Sequence, residues 1–497
     1  MSGRIADELR AGLDILPPAE LAIGRGTAFP MAGWCHHPGG RTLSLEIEVA
    51  GARSPVVHHS LPRRAVWARE RDAGPHAYRS GFVAIARIPG SSPAGRAEVV
   101  LRARIAGVGE RETVVGSLEL SAALKPPESP SPAFPSGVTG PRVAICMASF
   151  DPPPELLKRQ LDSIREQSHR NWVCVISDDG SRDERAERIR NEIAEDERFA
   201  LVRGPRLGFY RNFERALAMA PDSDLVALCD QDDRWRSDKL ERLIGALRGA
   251  ELAYSDARVV TPDGEVVEAS YWSVRRNNHT NFASLALANS ITGAATLFRR
   301  DLLDDALPFP PAHHAPFHDH WLGLVALARG EIAYVDEPLY DYVQHEHVVI
   351  GHSQANRPPR GPLEHLRERL GGSGKRASAI YYHDWLQLLV FCEVLRLRCW
   401  ARMSEPKRRA LQRLMAADRR LAGLAWLLGR RARGLFGRNE TLDRELFFAY
   451  GVAGGRAPEL LALGRHRPGR LAPDAEVPEP PEVPGLRAAP PPAAPRG

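Results

Sequence analysis

Between residues 142 and 230, apolar segments alternate with amphipathic ones, and this alternation constrains the fold more than any other feature. RVAICMASF (142–150) and WVCVISDDGS (172–181) are continuous apolar runs that begin about 30 residues apart. The segment between them opens with three prolines, which suit a helix start, and places Leu157, Leu161 and Ile164 on one helical face. The pattern predicts an α/β fold whose parallel strands are covered by helices on both sides.

Two acidic clusters fall at the predicted strand ends, where open α/β sheets bind their ligands. Asp178 and Asp179 end one strand, and Asp230, Asp232 and Asp233 follow another in ALCDQDDRW. Because neighbouring carboxylates repel, three of them in four positions favour a site shared by a diphosphate and a hard divalent cation, Mg²⁺ or Mn²⁺. The alternative is that they cap the helix predicted in RSDKLERLIGALRG.

Residues 1–124 predict a separate β-rich domain. Short runs such as TLSLEIEVAG and VLRARIAG alternate apolar and polar residues between prolines and glycines, which is typical of a small β-sandwich with one buried face per strand. Cys35, His36 and His37 in GWCHHPGG lack a second ligand pair at zinc spacing, so a turn is the favoured interpretation. Residues 125–141 are rich in Pro, Ser and Gly and predict an extended linker.

The chain after residue 355 predicts helices and then disorder. Residues 356–465 look helical, and residues 401–438 contain 11 Lys and Arg against only Glu405 and Asp418. The apolar stretch LAGLAWLLG is too short to span a bilayer but suits its interface, so we consider both peripheral membrane contact and an ordinary solvated basic surface. Residues 466–497 are Pro- and Ala-rich and predict a disordered tail.

Composition limits the class of protein. Hydrophobic residues make up 43% and charged residues 26%, as in folded globular proteins, and a net charge of +5 is too small to indicate nucleic-acid binding. Six scattered cysteines without a CxxC pair indicate a reducing compartment. Because the N-terminus is charged and no 18-residue apolar run occurs, we expect a cytosolic protein, with peripheral attachment to the inner face of the plasma membrane as an option.

The order of the motifs resembles that of a known enzyme family. ASFDPP, SDDGSRD, DQDDRW, TGAATLFRR, FHDHW and YVQHEHVVIGHS follow one another along the chain. This series resembles family 2 glycosyltransferases of the GT-A fold, especially bacterial rhamnosyltransferase-like members, over about residues 141–355. The resemblance implies that residues 142–355 form an inverting transferase. It would move a sugar from a nucleotide-sugar donor to a glycan, a lipid-linked saccharide or a surface-polysaccharide acceptor.

The resemblance also implies roles for individual residues. Asp319 in HDH would be the catalytic base. The DXD motif of Asp230 and Asp232, with Asp233 following, would bind divalent metal and through it the donor diphosphate. The residues expected to bind the donor are Ser149, Asp178, Asp179, Asp230, Gly293 and His345.

Two departures and two rival functions accompany the resemblance. Phe150 and Asp151 stand where many members carry Tyr-Asn or Tyr-Gly, and the absence of a QxxRW motif favours single addition over processive synthesis. One rival is a non-catalytic carbohydrate-binding or scaffold protein, which could use Trp34, Trp67 and Tyr78 as aromatic platforms. The other is a zinc hydrolase built from the histidines at 313, 314, 318, 320, 345, 347 and 352.

Overall fold

The computed structural model describes residues 8–70, 75–125, 132–272, 277–314, 316–344, 374–418, 421–432, 440–441 and 443–454. These residues form three β-sheets and a set of helices. No helix among them is long and apolar enough to cross a membrane. All six cysteines are buried and reduced.

Two antiparallel sheets form the N-terminal part. Their strands are β1 (Arg10–Ile15), β2 (Glu20–Ala22), β3 (Gly26–His36), β4 (Thr42–Val49), β5 (Ala52–Pro55), β6 (His58–Leu61), β7 (Gly81–Pro89), β8 (Gly95–Ile105) and β9 (Gly109–Ser121), with short helices α1 (Arg64–Arg69) and α2 (Pro75–Tyr78). One sheet has the order β1-β3-β7-β6 and the other β2-β9-β8-β4-β5, in which only the β2–β9 pair is parallel. Their facing side chains share one apolar core, which confirms the predicted sandwich.

A larger mixed sheet forms the centre of the molecule. Its strands are β10 (Val143–Ser149), β11 (Trp172–Asp178), β12 (Phe199–Arg203), β13 (Leu225–Cys229), β14 (Arg234–Trp235), β15 (Leu252–Val260), β16 (Val266–Glu268), β17 (Thr296–Arg299) and β18 (Ile332–Val343). The strands run in the order β12-β11-β10-β13-β17-β15-β18-β14, with β16 paired to β15. The first four are parallel, as predicted, and β17 is antiparallel to both of its neighbours.

Helices flank this sheet and connect its strands. They are α3 (Pro154–Arg165), α4 (Asp183–Ile193), α5 (Phe209–Ala218), α6 (Lys239–Ala246), α7 (Phe282–Leu287), α8 (Leu303–Ala306) and α9 (His318–Arg329), with 3₁₀ turns at Gly293–Ala295 and Arg300–Leu302. The predicted α3 face is confirmed, since Leu157, Leu161 and Ile164 are fully buried against the strands. The result is the α/β fold that the strand–helix alternation predicts, of the GT-A type that the family resemblance implies.

The C-terminal part contributes α10 (Gly374–Cys399), α11 (Glu405–Ala416), α12 (Leu421–Arg431) and α13 (Arg444–Gly454), which confirms its predicted helical character. The long helix α10 is not a separate unit. Its Trp385, Phe391 and Leu395 belong to the same apolar core as the central sheet. The predicted disordered tail, residues 466–497, lies outside the described residues.

Helix α10 explains one difference from the sequence prediction. The alternation in GFVAIARI predicts one buried face, but both faces of β7 are buried. Phe82 and Ala84 face the sandwich core, whereas Val83 and Ile85 belong to the core shared with α10. The helix therefore covers the outer face of the four-stranded sheet.

A buried arginine joins the three parts of the chain. Arg398 of α10 donates hydrogen bonds to Gly26 O of β3 (2.6 Å), to Asp305 O in α8 (3.0 Å) and to Pro308 O after α8 (2.8 Å). Arg25 adds an ion pair to Asp305 at 2.7 Å. These contacts fix the sandwich and α10 on the central α/β unit.

Candidate active site

The parallel register aligns the carboxyl ends of β10, β11 and β13. Ser149 lies beside Asp178, and Met147 lies beside Cys229, the residue before Asp230. The antiparallel pairing of Ala227 with Leu297 brings the Gly293–Ala295 turn next to the end of β13. The sheet therefore gathers most of the predicted site residues along one rim.

Gln231, the middle residue of the DXD motif, anchors the acidic loop, residues 230–233, to the end of β10. Its side-chain amide pairs with the backbone of Phe150: the Phe150 N–H donates to Gln231 Oε1 (2.8 Å) and Gln231 Nε2 donates to Phe150 O (3.1 Å). Ser149 Oγ donates to the same Oε1 at 3.0 Å. A residue that the sequence treats as a spacer thus fixes the position of the carboxylates around it.

The three carboxylates of the acidic loop occupy different environments. Asp230 and Asp232 are partly exposed, whereas Asp233 is buried and accepts the Val343 N–H at 3.3 Å. Burial, reinforced by the charges of Asp232 and Asp319, raises the pKa of Asp230 to about 7. Burial and the neighbouring carboxylates also raise the pKa of Asp233 well above its ordinary value.

These carboxylates fit a divalent cation. The second oxygen of Asp233, Oδ2, is buried and has no hydrogen-bond partner among the described residues. Such an atom, beside two further carboxylates, is suited to a hard cation that would offset their repulsion. No cluster of three or more His, Cys, Asp or Glu side chains in the described part of the chain has the arrangement of a complete metal site. A cation here would therefore need ligands beyond the side chains of the described residues.

Asp178 and Asp179 lie at the rim, but both bind the protein's own groups. Asp178 is buried and accepts from Ser181 Oγ. Asp179 accepts from the backbone N–H groups of Leu207 (2.7 Å) and Gly208 (2.8 Å), so it positions the loop before α5. Burial raises the pKa of Asp179 despite these two bonds.

Arg215 of α5, which the sequence analysis did not single out, stabilises the same rim. Its guanidinium donates to Ser177 Oγ (2.8 Å) and to Asp178 O (2.7 Å), and it lies 3.7 Å from Asp179 Oδ1. Nothing in the local sequence FYRNFERALA distinguishes this arginine from an ordinary helical surface residue.

Asp319 is held by three donors in the first turn of α9. Oδ1 accepts from Asn289 Nδ2 (2.9 Å) and from the His320 N–H (2.6 Å), and Oδ2 accepts from the Gly293 N–H (3.2 Å). The carboxylate is partly exposed, yet burial dominates these bonds and raises its pKa to about 7. Since its charge acts on Asp230, the DQDDRW and FHDHW motifs lie at one site.

The histidines that flank Asp319 face the interior. His318 stacks on Phe213 with ring centroids 3.7 Å apart, and burial lowers its pKa to about 3, so its ring is neutral. A Cβ at Gly293 would lie 2.5 Å from His318 Nε2, which explains why glycine occupies the turn next to Asp319. His320 Nε2 pairs with Leu285 O at 2.8 Å.

The other histidines of the hydrolase interpretation do not gather around Asp319. His313 pairs with His383 (2.8 Å), and His314 pairs with Asp384 (2.6 Å). His345, the predicted donor-binding histidine, and His347 and His352 lie outside the described residues.

The proposed aromatic platforms of the sandwich do not form a flat surface. Trp34 stacks on His36 with ring centroids 5.8 Å apart, and Trp67 meets Tyr78 edge-on at an interplanar angle of 81°.

A buried lysine lies beneath the acidic loop. Lys239, the first residue of α6, is fully buried, and its Nζ donates to Ala294 O. It is part of DQDDRWRSDKL, yet nothing in the sequence separates it from a solvated helical lysine.

Sequence comparisons find proteins similar to part of this chain. The family model described as glycosyl transferase family 2 matches residues 144–307. The chain is 28% identical to the uncharacterized protein y4gI of Sinorhizobium fredii over 27% of this chain, but it spans only 15% of that protein. It is 24% identical to the putative teichuronic acid biosynthesis glycosyltransferase TuaG of Bacillus subtilis, over 41% of this chain and 79% of TuaG.

Solved structures similar to this chain include TarS and a mannosyltransferase. TarS residues 1–349 of S. aureus are 14% identical, with a TM-score of 0.36, covering 63% of this chain and 91% of that one. The mannosyltransferase PcManGT of Pyrobaculum calidifontis, solved with GDP-Man and Mn²⁺, is 19% identical, with a TM-score of 0.34, covering 64% of this chain and 90% of that one. Residues 144–307, which include the strand that precedes the acidic loop, thus match the glycosyl transferase family 2 model.

Proposed function

We propose that the chain is an inverting glycosyltransferase that moves one sugar from a nucleotide-sugar donor to a hydroxyl group of a glycan, lipid-linked saccharide or surface-polysaccharide acceptor. The observation that carries this proposal is the placement of Asp319. Three hydrogen bonds orient its partly exposed carboxylate, and its charge acts on Asp230 of the acidic loop. A pKa of about 7 suits a group that must take a proton near neutral pH.

In the proposed reaction, Asp319 takes the proton of the acceptor hydroxyl as that oxygen forms a bond to the anomeric carbon. The bond from the anomeric carbon to the diphosphate oxygen breaks, and its electron pair leaves with the nucleoside diphosphate. A single displacement of this kind inverts the anomeric configuration. Asn289 and the Gly293 N–H keep the carboxylate in place during the step.

The acidic loop would stabilise the leaving diphosphate through a bound cation. Asp230 and Asp232, with Asp233 behind them, would hold Mg²⁺ or Mn²⁺, which when bound would offset the charge that develops on the diphosphate. The unpartnered Oδ2 of Asp233 supports this assignment. The donor contacts of Ser149, Asp178, Asp179, Gly293 and His345 stay predictions from the family resemblance.

A cell-surface polymer is the acceptor class that the comparisons favour. The match to 79% of a putative teichuronic acid biosynthesis glycosyltransferase supports it. We also propose that the basic region 401–438 contacts a membrane surface peripherally, since Leu421 and Leu428, two turns apart on α12, are exposed. Sedimentation with anionic vesicles, compared with neutral ones, tests that contact.

The activity is tested with purified protein, a panel of nucleotide sugars and oligosaccharide or lipid-linked acceptors. We expect release of nucleoside diphosphate that depends on donor and acceptor, disappears with chelator and returns with Mn²⁺ or Mg²⁺. Nuclear magnetic resonance of the product should show inverted anomeric configuration. Retained configuration, or full activity in chelator, would contradict the mechanism, and zinc-dependent ester hydrolysis would favour the hydrolase.

A further inference from the structure

The buried position of Lys239 costs free energy, because a lysine side chain is normally charged and solvated. Its side chain is fully buried at the start of α6, directly after the acidic loop. An ammonium group taken out of water needs compensating charge and hydrogen bonds. The contacts that supply this compensation show what the lysine connects.

One wall around the ammonium group is the acidic loop and its aromatic neighbours. Nζ lies 3.5 Å from the centroid of the Trp235 ring and 5.0 Å from that of Tyr340. Burial lowers the pKa of Lys239 to about 7, and the charges of Asp233 and Asp230 oppose this shift by favouring the ammonium form. Aromatic faces and carboxylates both favour a buried cation.

The other wall is the Gly293–Ala295 turn. Lys239 Nζ donates to Ala294 O, and Thr296 Oγ1 donates to Gly293 O at 2.7 Å. On its opposite side, the same turn presents the Gly293 N–H to Asp319 Oδ2. The turn therefore accepts a hydrogen bond from Lys239 through Ala294 O and donates one to Asp319 through the Gly293 N–H.

We propose that Lys239 is a positioning residue for glycosyl transfer, whose ammonium group ties the acidic loop to the Gly293–Ala295 turn and thereby fixes the Asp319 carboxylate relative to Asp230. Because it is buried, Lys239 acts through these groups and does not touch the substrate. The inference rests on the proposed function for its kinetic consequence, but its structural consequence can be measured without turnover.

The structural test is hydrogen–deuterium exchange in Lys239→Met. We expect faster exchange of the amides of residues 291–296 and unchanged exchange in α3, because only the turn loses its support. Lys158→Met is the matched control, since Lys158 is a half-exposed lysine that pairs with Asp162 on α3. Unchanged exchange in the turn would overturn the proposal even if the protein proves to have another activity.

The kinetic test is a double-mutant cycle. Lys239→Met should lower kcat about 10- to 100-fold, because small misplacements of a catalytic group are costly, while the KM for the donor changes less than about threefold. In an Asp319→Asn background the same substitution should lower kcat less than about twofold, since residues that act as a unit are not additive. Equal losses in both backgrounds would show a general structural role and refute the proposal.

Lys239→Gln separates the hydrogen bond from the charge. Glutamine keeps an N–H donor for Ala294 O but carries no charge, so partial recovery of kcat over Lys239→Met assigns part of the effect to the turn. If Lys239→Met does not fold, Lys239→Gln replaces it in both tests. If neither variant folds, Lys239 is a residue of folding stability and the positioning role is rejected. No transfer by the wild type, with faster exchange in the variant, would reject the proposed function alone.

Discussion

Asn289 donates a hydrogen bond of 2.9 Å from its side-chain amide to Asp319 Oδ1. The amide is itself fixed, because Nδ2 also donates to Ile291 O (2.8 Å) and Oδ1 accepts the Ile291 N–H (3.0 Å). Each carboxylate oxygen of Asp319 therefore has a set direction before any acceptor arrives. This preorganisation is what a positioned general base requires.

Replacing Asp319 by Asn should remove the base and keep its shape. We expect kcat to fall about 10²- to 10⁴-fold, the usual contribution of general base catalysis, with the donor KM changed little. Steady-state kinetics of nucleoside diphosphate release measure both quantities. Asp222→Asn is the control, because Asp222 is exposed and pairs only with Arg142 among the described residues. A loss below about threefold in Asp319→Asn would exclude the assigned role.

The pH dependence of the rate follows from the same group. Burial raises the pKa of Asp319 to about 7, and only the ionised carboxylate can accept a proton. We therefore expect kcat to reach a plateau above about pH 7 and to fall about tenfold per pH unit below it. A profile that stays flat down to pH 5 would contradict this assignment.

The contribution of Asp319 to the free energy of unfolding should fall as pH rises, whereas kcat should increase. The pKa of Asp319 is higher in the folded protein than the ordinary value of about 4, so the folded state binds more protons between about pH 4 and 7. The free energy of unfolding contributed by this group is thus greatest below pH 4 and is lost as pH rises through about 7. Asp319→Asn should raise the Tm at pH 8 more than at pH 4, as measured by differential scanning calorimetry without metal. An equal change in Tm at both pH values would be inconsistent with a raised pKa.

Asp232→Ala tests the cation site. We expect weaker binding of Mn²⁺, measured by electron paramagnetic resonance in the presence of nucleoside diphosphate, together with a large loss of kcat. The Tm without metal should stay the same or rise, since one of several repelling carboxylates is removed. Unchanged Mn²⁺ affinity would place the metal elsewhere or exclude it.

Substitution of Asn278 tests whether the contact with Glu440, in the C-terminal part, supports the segment that positions Asp319. It is buried, and its Nδ2 contacts Ala288 O (2.8 Å) and Glu440 O (2.9 Å), while Ser290 Oγ donates to its Oδ1. Asn278→Ala removes these hydrogen bonds from a buried site, so we expect a loss of about 1–3 kcal/mol in the free energy of unfolding and a lower kcat. Urea denaturation and steady-state kinetics check the two effects.

Glu440→Ala is the comparison for that substitution. It removes the side-chain contact to Ser284 and leaves the Glu440 backbone carbonyl for Asn278. We expect a smaller loss of stability than in Asn278→Ala. The reverse order would show that the side chain of Glu440, and not the buried amide, holds the loop.

Much of the framework follows from the sequence because it depends on periodicity. Continuous apolar runs predict buried parallel strands, and the rule that ligands bind at their carboxyl ends places Asp178 and Asp230 on one rim. The two buried faces of β7 could not be predicted, since the helix that covers Val83 and Ile85 begins about 290 residues later.

The detailed contacts of the site depend on pairings that spacing does not reveal. Gln231 reads as a spacer, yet its amide pairs with Phe150, 81 residues away. The sequence around Lys239 is that of a surface lysine, and only the structure shows that its Nζ donates to Ala294 O of the Gly293–Ala295 turn. Asp319 is predicted to be the base from the family resemblance, and its hydrogen bond from Gly293 becomes visible only once β17 is known to pair with β13.

Arg398 has a consequence for protein engineering. Its side chain bonds simultaneously to the sandwich and to the loop after α8, from a helix near the far end of the chain. A chimera that transplants only the first 124 residues onto a related catalytic unit would leave Arg398 behind, so Gly26 O would lose this donor. A module designed for exchange should therefore contain both the N-terminal sandwich and helix α10.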